Sequence, residues 1–112
     1  MLKHEMIEKD GVTVFKVQVE NLDALTVPEA RPLIEQLVDR GGIKVVFDMS
    51  TVRTIDSSGV AIIVSLFKRL RALGGALRLA GVSGQPKDIL HIMRLNQALA
   101  VFPSTEDALR GF

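Results

Sequence analysis

The sequence predicts an α/β fold: a mixed, mostly parallel β-sheet with an antiparallel N-terminal edge and about four helices. Three observations lead there. Short β-branched runs alternate with segments of helical period, an Asp10-Gly11 dipeptide separates the first two runs, and double glycines close the two longest helical segments. With 112 residues, 47% of them hydrophobic, the chain can bury one ordinary core, so a single domain over 1–112 is expected.

Residues 2–9 and 12–19 read as two strands around Asp10-Gly11, which supplies the positive φ angles of a tight hairpin. From Thr26 to Arg40, Ala30, Leu33, Ile34, Leu37 and Val38 fall on one helical face. Thr26 and Glu29 have capping-box spacing, and Gly41-Gly42 supplies a stop. Pro32 removes a backbone donor early in this helix, which predicts a kink there or a start later than the cap suggests.

Ile43 to Asp48 suits a central buried strand, and Met49 to Ile55 reads as a polar loop. Ser57 to Leu73 reads as a helix, apolar nearly all round over Val60 to Val64, with Lys68, Arg69 and Arg71 facing water and Gly74-Gly75 as its end. Ala76 to Ala80 is a strand, Gly81 to Gln85 a turn, and Pro86 to about Arg94 a short helix with proline near its start. A brief strand at Ala100 to Phe102 and a last helix from Ser104 complete the order ββαβαβαβα, whose parallel strands require right-handed crossovers.

Composition narrows the function classes. Fourteen basic residues stand against 13 acidic ones, both signs are interspersed, and neither Trp nor Tyr is present, so direct nucleic-acid binding is not expected. The absence of Cys removes disulfides, thiolate catalysis and Cys-ligated metals, and suits the cytoplasm. The charged N-terminus does not read as a signal peptide, and the longest apolar run is too short to insert in a membrane. Phosphate-loop and nucleophile-elbow motifs are missing, and His4 and His91 stand alone, so the chain is not expected to be an enzyme.

The strongest local feature is Asp56-Ser57-Ser58-Gly59, where a loop enters the apolar helix. Two readings fit these residues. In the structural one, Asp56 is an N-cap whose carboxylate accepts bonds from the amides of Ser58 and Gly59. In the functional one, the helix start presents amides and partial positive charge to an anion such as a phosphate on Ser57 or Ser58, and Gly59 leaves a bare surface that a partner can approach. Asp48, ending a central strand, resembles a receiver phosphoacceptor, but the acidic pair and late lysine of such a site are absent, which leaves it a loop cap.

The run Ile-Asp-Ser-Ser-Gly-Val, following a strand that ends in Phe-Asp and leading into a long apolar helix with a Gly-Gly stop, resembles the STAS-domain anti-sigma factor antagonists over nearly the whole chain. The resemblance implies a STAS-like fold and a phosphorylation site on the serine before the glycine, here Ser58, with Ser57 less favoured. It further implies a partner surface including Asp23, Asp56, Ser57 and Gly59, where Asp23 matches the acidic residue of a Gly-x-Leu-Asp-like segment. The implied partners are an anti-sigma factor that is also a serine kinase and supplies the ATP, and a phosphatase for reactivation; the chain itself would need no cofactor. Two positions depart from the family pattern: Glu20 stands where a glycine is usual, and Met93-Arg94-Leu95-Asn96 lacks the glycine usual after the third helix. Two other functions fit the same fold. One is an assembly subunit without phosphorylation, in a stress-signalling complex or lipid-transport machinery. The other is a domain that binds a small phosphorylated ligand at the helix start.

Overall fold

A computed structural model of the protein describes residues 2–112. Strand β1 (His4–Lys9) folds back on β2 (Val12–Val17) through Asp10 and Gly11, with φ of 52° and 79°, the paired positive angles of a type I′ hairpin. Helix α1 (Val27–Asp39), strand β4 (Lys44–Asp48), helix α2 (Ser57–Ala72), strand β6 (Ala76–Ala80), helix α3 (Gly84–Ile92), strand β7 (Ala100–Phe102) and helix α4 (Thr105–Leu109) follow in the expected order. Two short strands add to it: β3 (Asn21–Leu22) and β5 (Thr54–Ile55) pair in parallel as a separate two-stranded sheet. The stretch from Met49 to Ile55 is therefore not all loop. Two-residue strands carry no periodic signal, so only the fold reveals them.

The main sheet has five strands in the order β1-β2-β4-β6-β7, antiparallel at β1-β2 and parallel elsewhere. Each crossover from β2 onward steps in the same direction across the sheet. Right-handed crossovers then place α1, α2 and α3 on one face. There Phe15, Phe47, Leu37, Ile63, Leu66, Leu70 and Leu79 form the main core. The opposite face holds a smaller cluster of Val12, Val14, Val46 and Ala80, roofed by Ala108 of α4 with Phe102, Leu109 and Phe112. Arg78 of β6 fastens this roof: its guanidinium lies 4.3 Å from the Phe112 ring centre and donates to the carbonyls of Ala108 and Arg110.

Several local expectations need correction. Helix α1 begins directly after Thr26 and runs through Pro32, so the later start does not occur; Pro28 and Pro32 both lie within its first two turns. Thr26 is the N-cap residue but makes no side-chain cap bond, because its hydroxyl donates to the Asn21 carbonyl and accepts from the Asp23 amide. The Thr26 half of the capping box is replaced by an Asp23 turn. Helix α3 starts at Gly84, two residues before Pro86. Arg69 does not simply face water, since its guanidinium binds Glu35 of α1 at 2.7 Å across the helix pair. Asp48 is a loop cap, accepting from the Ser50 amide at 2.8 Å and from the Thr105 hydroxyl at 2.9 Å, which ties the end of β4 to α4.

Candidate functional site at the start of helix α2

The site is assembled where β5 enters α2. Asp56 sits at φ −111°, ψ −171°, the extended geometry of an N-cap, and one carboxylate oxygen accepts from the amides of Ser58 (2.9 Å) and Gly59 (3.0 Å). Its other oxygen accepts from the Ala24 amide at 3.2 Å, 32 residues away in sequence. Asp56 thereby joins two segments, capping α2 and pinning the loop that leads from β3 to α1.

That loop is shaped by Asp23. Its Oδ1 accepts from the amides of Leu25 (3.0 Å) and Thr26 (3.1 Å), forming a compact turn that launches α1. Asp23 and the Asp56-Ser57-Ser58 segment, separate in sequence, are held together through Ala24 and through the bond from the Asp56 amide to the Leu22 carbonyl. Ser57 is exposed and Ser58 half-buried, and among the described residues neither serine hydroxyl is hydrogen-bonded.

The structure corrects two parts of the functional reading. Gly59 is buried, and a Cβ there would meet the Leu22 carbonyl oxygen and lie 2.6 Å from Ile55 Cγ1. The glycine lets α2 pack on β3 and β5; it does not present a bare surface to a partner. The helix start is also not open to an added anion in the way the sequence suggests, because the Asp56 carboxylate already occupies the Ser58 and Gly59 amides. A phosphate on Ser58 would meet a seated carboxylate, so the dipole offers it little compensation.

Apolar surface flanks the two serines, a feature that strand and helix periodicity did not reveal. Leu25, next in sequence to the Ala24 amide that binds Asp56, is 84% exposed. Ile55, Val60, Ala61, Val64, Ile89 and Met93 line a groove of about 430 Å³ between α2 and α3, with Asp56 and Ser57 at its rim. Ile92 and Met93 are also exposed beside it. The apolar Ile89, Ile92 and Met93 near the end of α3 were the signal that could have pointed to it, but their meeting with Ser57 depends on how α3 packs against α2.

The remaining polar candidates are structural. His4 Nδ1 donates to the Leu2 carbonyl at 2.8 Å and its ring meets Phe15 edge-on, while exposed His91 lies beside Asn96. Among the described residues no cluster of His, Asp or Glu is arranged to hold a metal ion, and no helix is long and apolar enough to cross a membrane.

Comparison with known proteins agrees with this architecture. No curated protein matches the chain. Among solved structures, an anti-sigma factor antagonist from Mycobacterium paratuberculosis superposes with a TM-score of 0.87 at 22% identity, covering 97% of this chain and 92% of that one. The Bacillus cell fate determinant SpoIIAA in its phosphorylated form gives 0.74 at 18% identity, covering 96% of both chains. The murine Solute Carrier 26 family member A9 anion transporter gives 0.73 at 19% identity, but the match is 92% of this chain and only 18% of the transporter. At these identities the likeness establishes a shared fold, found both in small regulatory proteins and within a transporter. The family model for the STAS domain matches residues 3–108, nearly all of the elements described above, and the chain belongs to the STAS domain family.

Proposed function

We propose that this chain is an anti-sigma factor antagonist that works as a phosphorylation-controlled partner switch in the cytoplasm. Unphosphorylated, it binds a serine-kinase anti-sigma factor and so frees a sigma factor. Phosphorylation of Ser58 by that kinase, with the kinase's own ATP, ends the binding, and a phosphatase restores it. The chain itself performs no chemistry and contacts no nucleic acid.

The observation that carries this reading is the unbonded hydroxyl of half-buried Ser58, next in sequence to Ser57 and Asp56, which sit at the rim of the apolar α2–α3 groove. Contiguous exposed apolar surface of this kind suits a protein partner. A partner covering it would bury the phosphate, which carries about −1.5 to −2 charges at neutral pH. A buried charge without a counter-charge costs on the order of 3 to 5 kcal/mol, or about two to four decades in affinity. In the free protein the same charge stays near water, where its repulsion from Asp56 is on the order of 1 to 2 kcal/mol, smaller than the cost of burial under a partner. The magnitudes therefore direct the modification to binding and not to folding.

Two features count against a small phosphorylated ligand at this position. The α2 start is already filled by Asp56, and a sheet whose crossovers all step one way has no point where the strand order reverses, the usual seat of ligands in open α/β sheets. The likeness to a transporter domain keeps the assembly-subunit reading in play. Affinity capture from the native cell with wild-type and Ser58→Ala baits, followed by phosphosite mapping, separates the two. The switch predicts phosphate on Ser58 and a captured serine kinase held more persistently by the alanine bait; a wild-type protein that never carries phosphate on Ser58 contradicts it.

A further inference from the structure

The small sheet of β3 and β5 has an unexpected third member. On one side Ile55 of β5 pairs with Leu22 of β3. On the other, the carboxamide of Gln85, in the first turn of α3, faces the backbone of the same residue: Oε1 accepts from the Ile55 amide at 2.9 Å and Nε2 donates to the Ile55 carbonyl at 2.9 Å. One carboxamide carries both a donor and an acceptor, so it can satisfy a residue as a neighbouring strand would. Ile55 immediately precedes Asp56, whose carboxylate organises Ala24, Ser58 and Gly59.

We propose that Gln85 is a positioning residue for the Ser58 switch, clamping the backbone that enters the Asp56 cap and tying it to helix α3. This assignment rests on the phosphorylation reading of Ser58 for its functional meaning. The clamp has a mechanical consequence. Ile89 and Met93, one and two turns further along or just beyond α3, line the apolar groove together with Ile55, Asp56 and Ser57. Through Gln85, the α3 side of the groove that a partner would contact and the segment that is phosphorylated move as one body. Gln85 is itself exposed, so burial contributes little and the two hydrogen bonds are its main contribution.

The test is amide hydrogen exchange on the full chain, comparing wild type with Gln85→Met, which keeps length but loses both bonds, and Gln85→Glu, which keeps only the acceptor. Positioning predicts that protection at Ala24, Ser58 and Gly59 falls at least about tenfold in Gln85→Met and by a smaller factor in Gln85→Glu, while Val46 and Ile63 in the core keep theirs. Loss confined to Ile55, or a uniform loss that includes Val46 and Ile63, overturns the assignment. A second arm measures the fraction of each protein phosphorylated on Ser58 in the native cell by intact mass, where Gln85→Met should fall several-fold below wild type. Equal fractions overturn the functional part of the assignment. Absence of phosphate from the wild type counts against the switch itself, and the exchange data still decide whether Gln85 holds the loop.

Discussion

Helices α2 and α4 both begin at an extended, capped residue, but the two caps are connected differently. Ser104 accepts from the Asp107 amide at 3.1 Å, a bond three residues long that serves only α4. Asp56 satisfies two amides of its own helix and a third, Ala24, on a loop 32 residues earlier. The local code is the same, a polar side chain with an oxygen acceptor before a helical run. One cap ends a helix; the other is a junction at which β3, the Asp23 turn, β5 and α2 meet. The difference fits the proposal that the serines beside Asp56 report to a partner, whereas Ser104 belongs to the roof over the sheet.

Substitutions can break this contrast, beginning with the tightest contact. Gly59→Ala forces a Cβ against the Leu22 carbonyl and Ile55, and should destabilise the protein by about 2 to 3 kcal/mol in denaturant unfolding, despite alanine's better helix propensity. Because the displaced groups carry the Asp23 turn, partner binding should weaken beyond what the stability loss explains. Asp56→Ala removes three charge-assisted bonds and should cost about 2 kcal/mol. Asp56→Asn retains an acceptor for the helix cap but offers an amide where Ala24 needs an oxygen, so hydrogen exchange should quicken at Ala24 while Ser58 and Gly59 stay protected. If Ala24 is indifferent to that change, the junction is not real.

At the local cap, Ser104→Ala should cost about 0.5 to 1 kcal/mol and leave exchange at Ala24 and Ser58 untouched. Comparable in size is the expected effect at Arg94, which makes no hydrogen bond to either cap residue. It holds φ +57° in the left-handed region, where a non-glycine residue costs about 1 to 2 kcal/mol, offset in part by the greater unfolded-chain freedom of glycine. Arg94→Gly should therefore raise stability by about 0.5 to 1 kcal/mol, read as a shift in the denaturant midpoint at constant slope.

Arg94 also shows how far the sequence could be read. The chain lacks glycine at two positions where the family usually has one, and the two absences look alike in a string of letters. In the structure they differ: Glu20 has no positive φ, and its carbonyl accepts from the amides of Arg53 and Thr54, so a side chain there is tolerated, whereas Arg94 occupies the left-handed turn itself. The regular elements were legible because each carries a period or a terminator: the valines of β2, the stripe of α1, the Asp-Gly hairpin and the double glycines. The pairing of β3 with β5, the Asp56–Ala24 bridge and the Gln85 clamp were not, since each joins residues about 30 or more apart through one or two hydrogen bonds. Gly59 was legible as a constraint but not as to kind, because a buried packing glycine and an exposed contact glycine read identically until the neighbouring strands are placed.

The central claim is that phosphate on Ser58 acts on binding and leaves the fold alone. The direct measurement is to install phosphoserine at position 58 and compare modified and unmodified protein in two assays, denaturant unfolding and affinity for the partner captured by the unmodified form. The account predicts unfolding free energies within about 2 kcal/mol of each other and an affinity lower by about two to four decades. Equal affinities, or a loss of binding matched by an equal loss of stability, would contradict it.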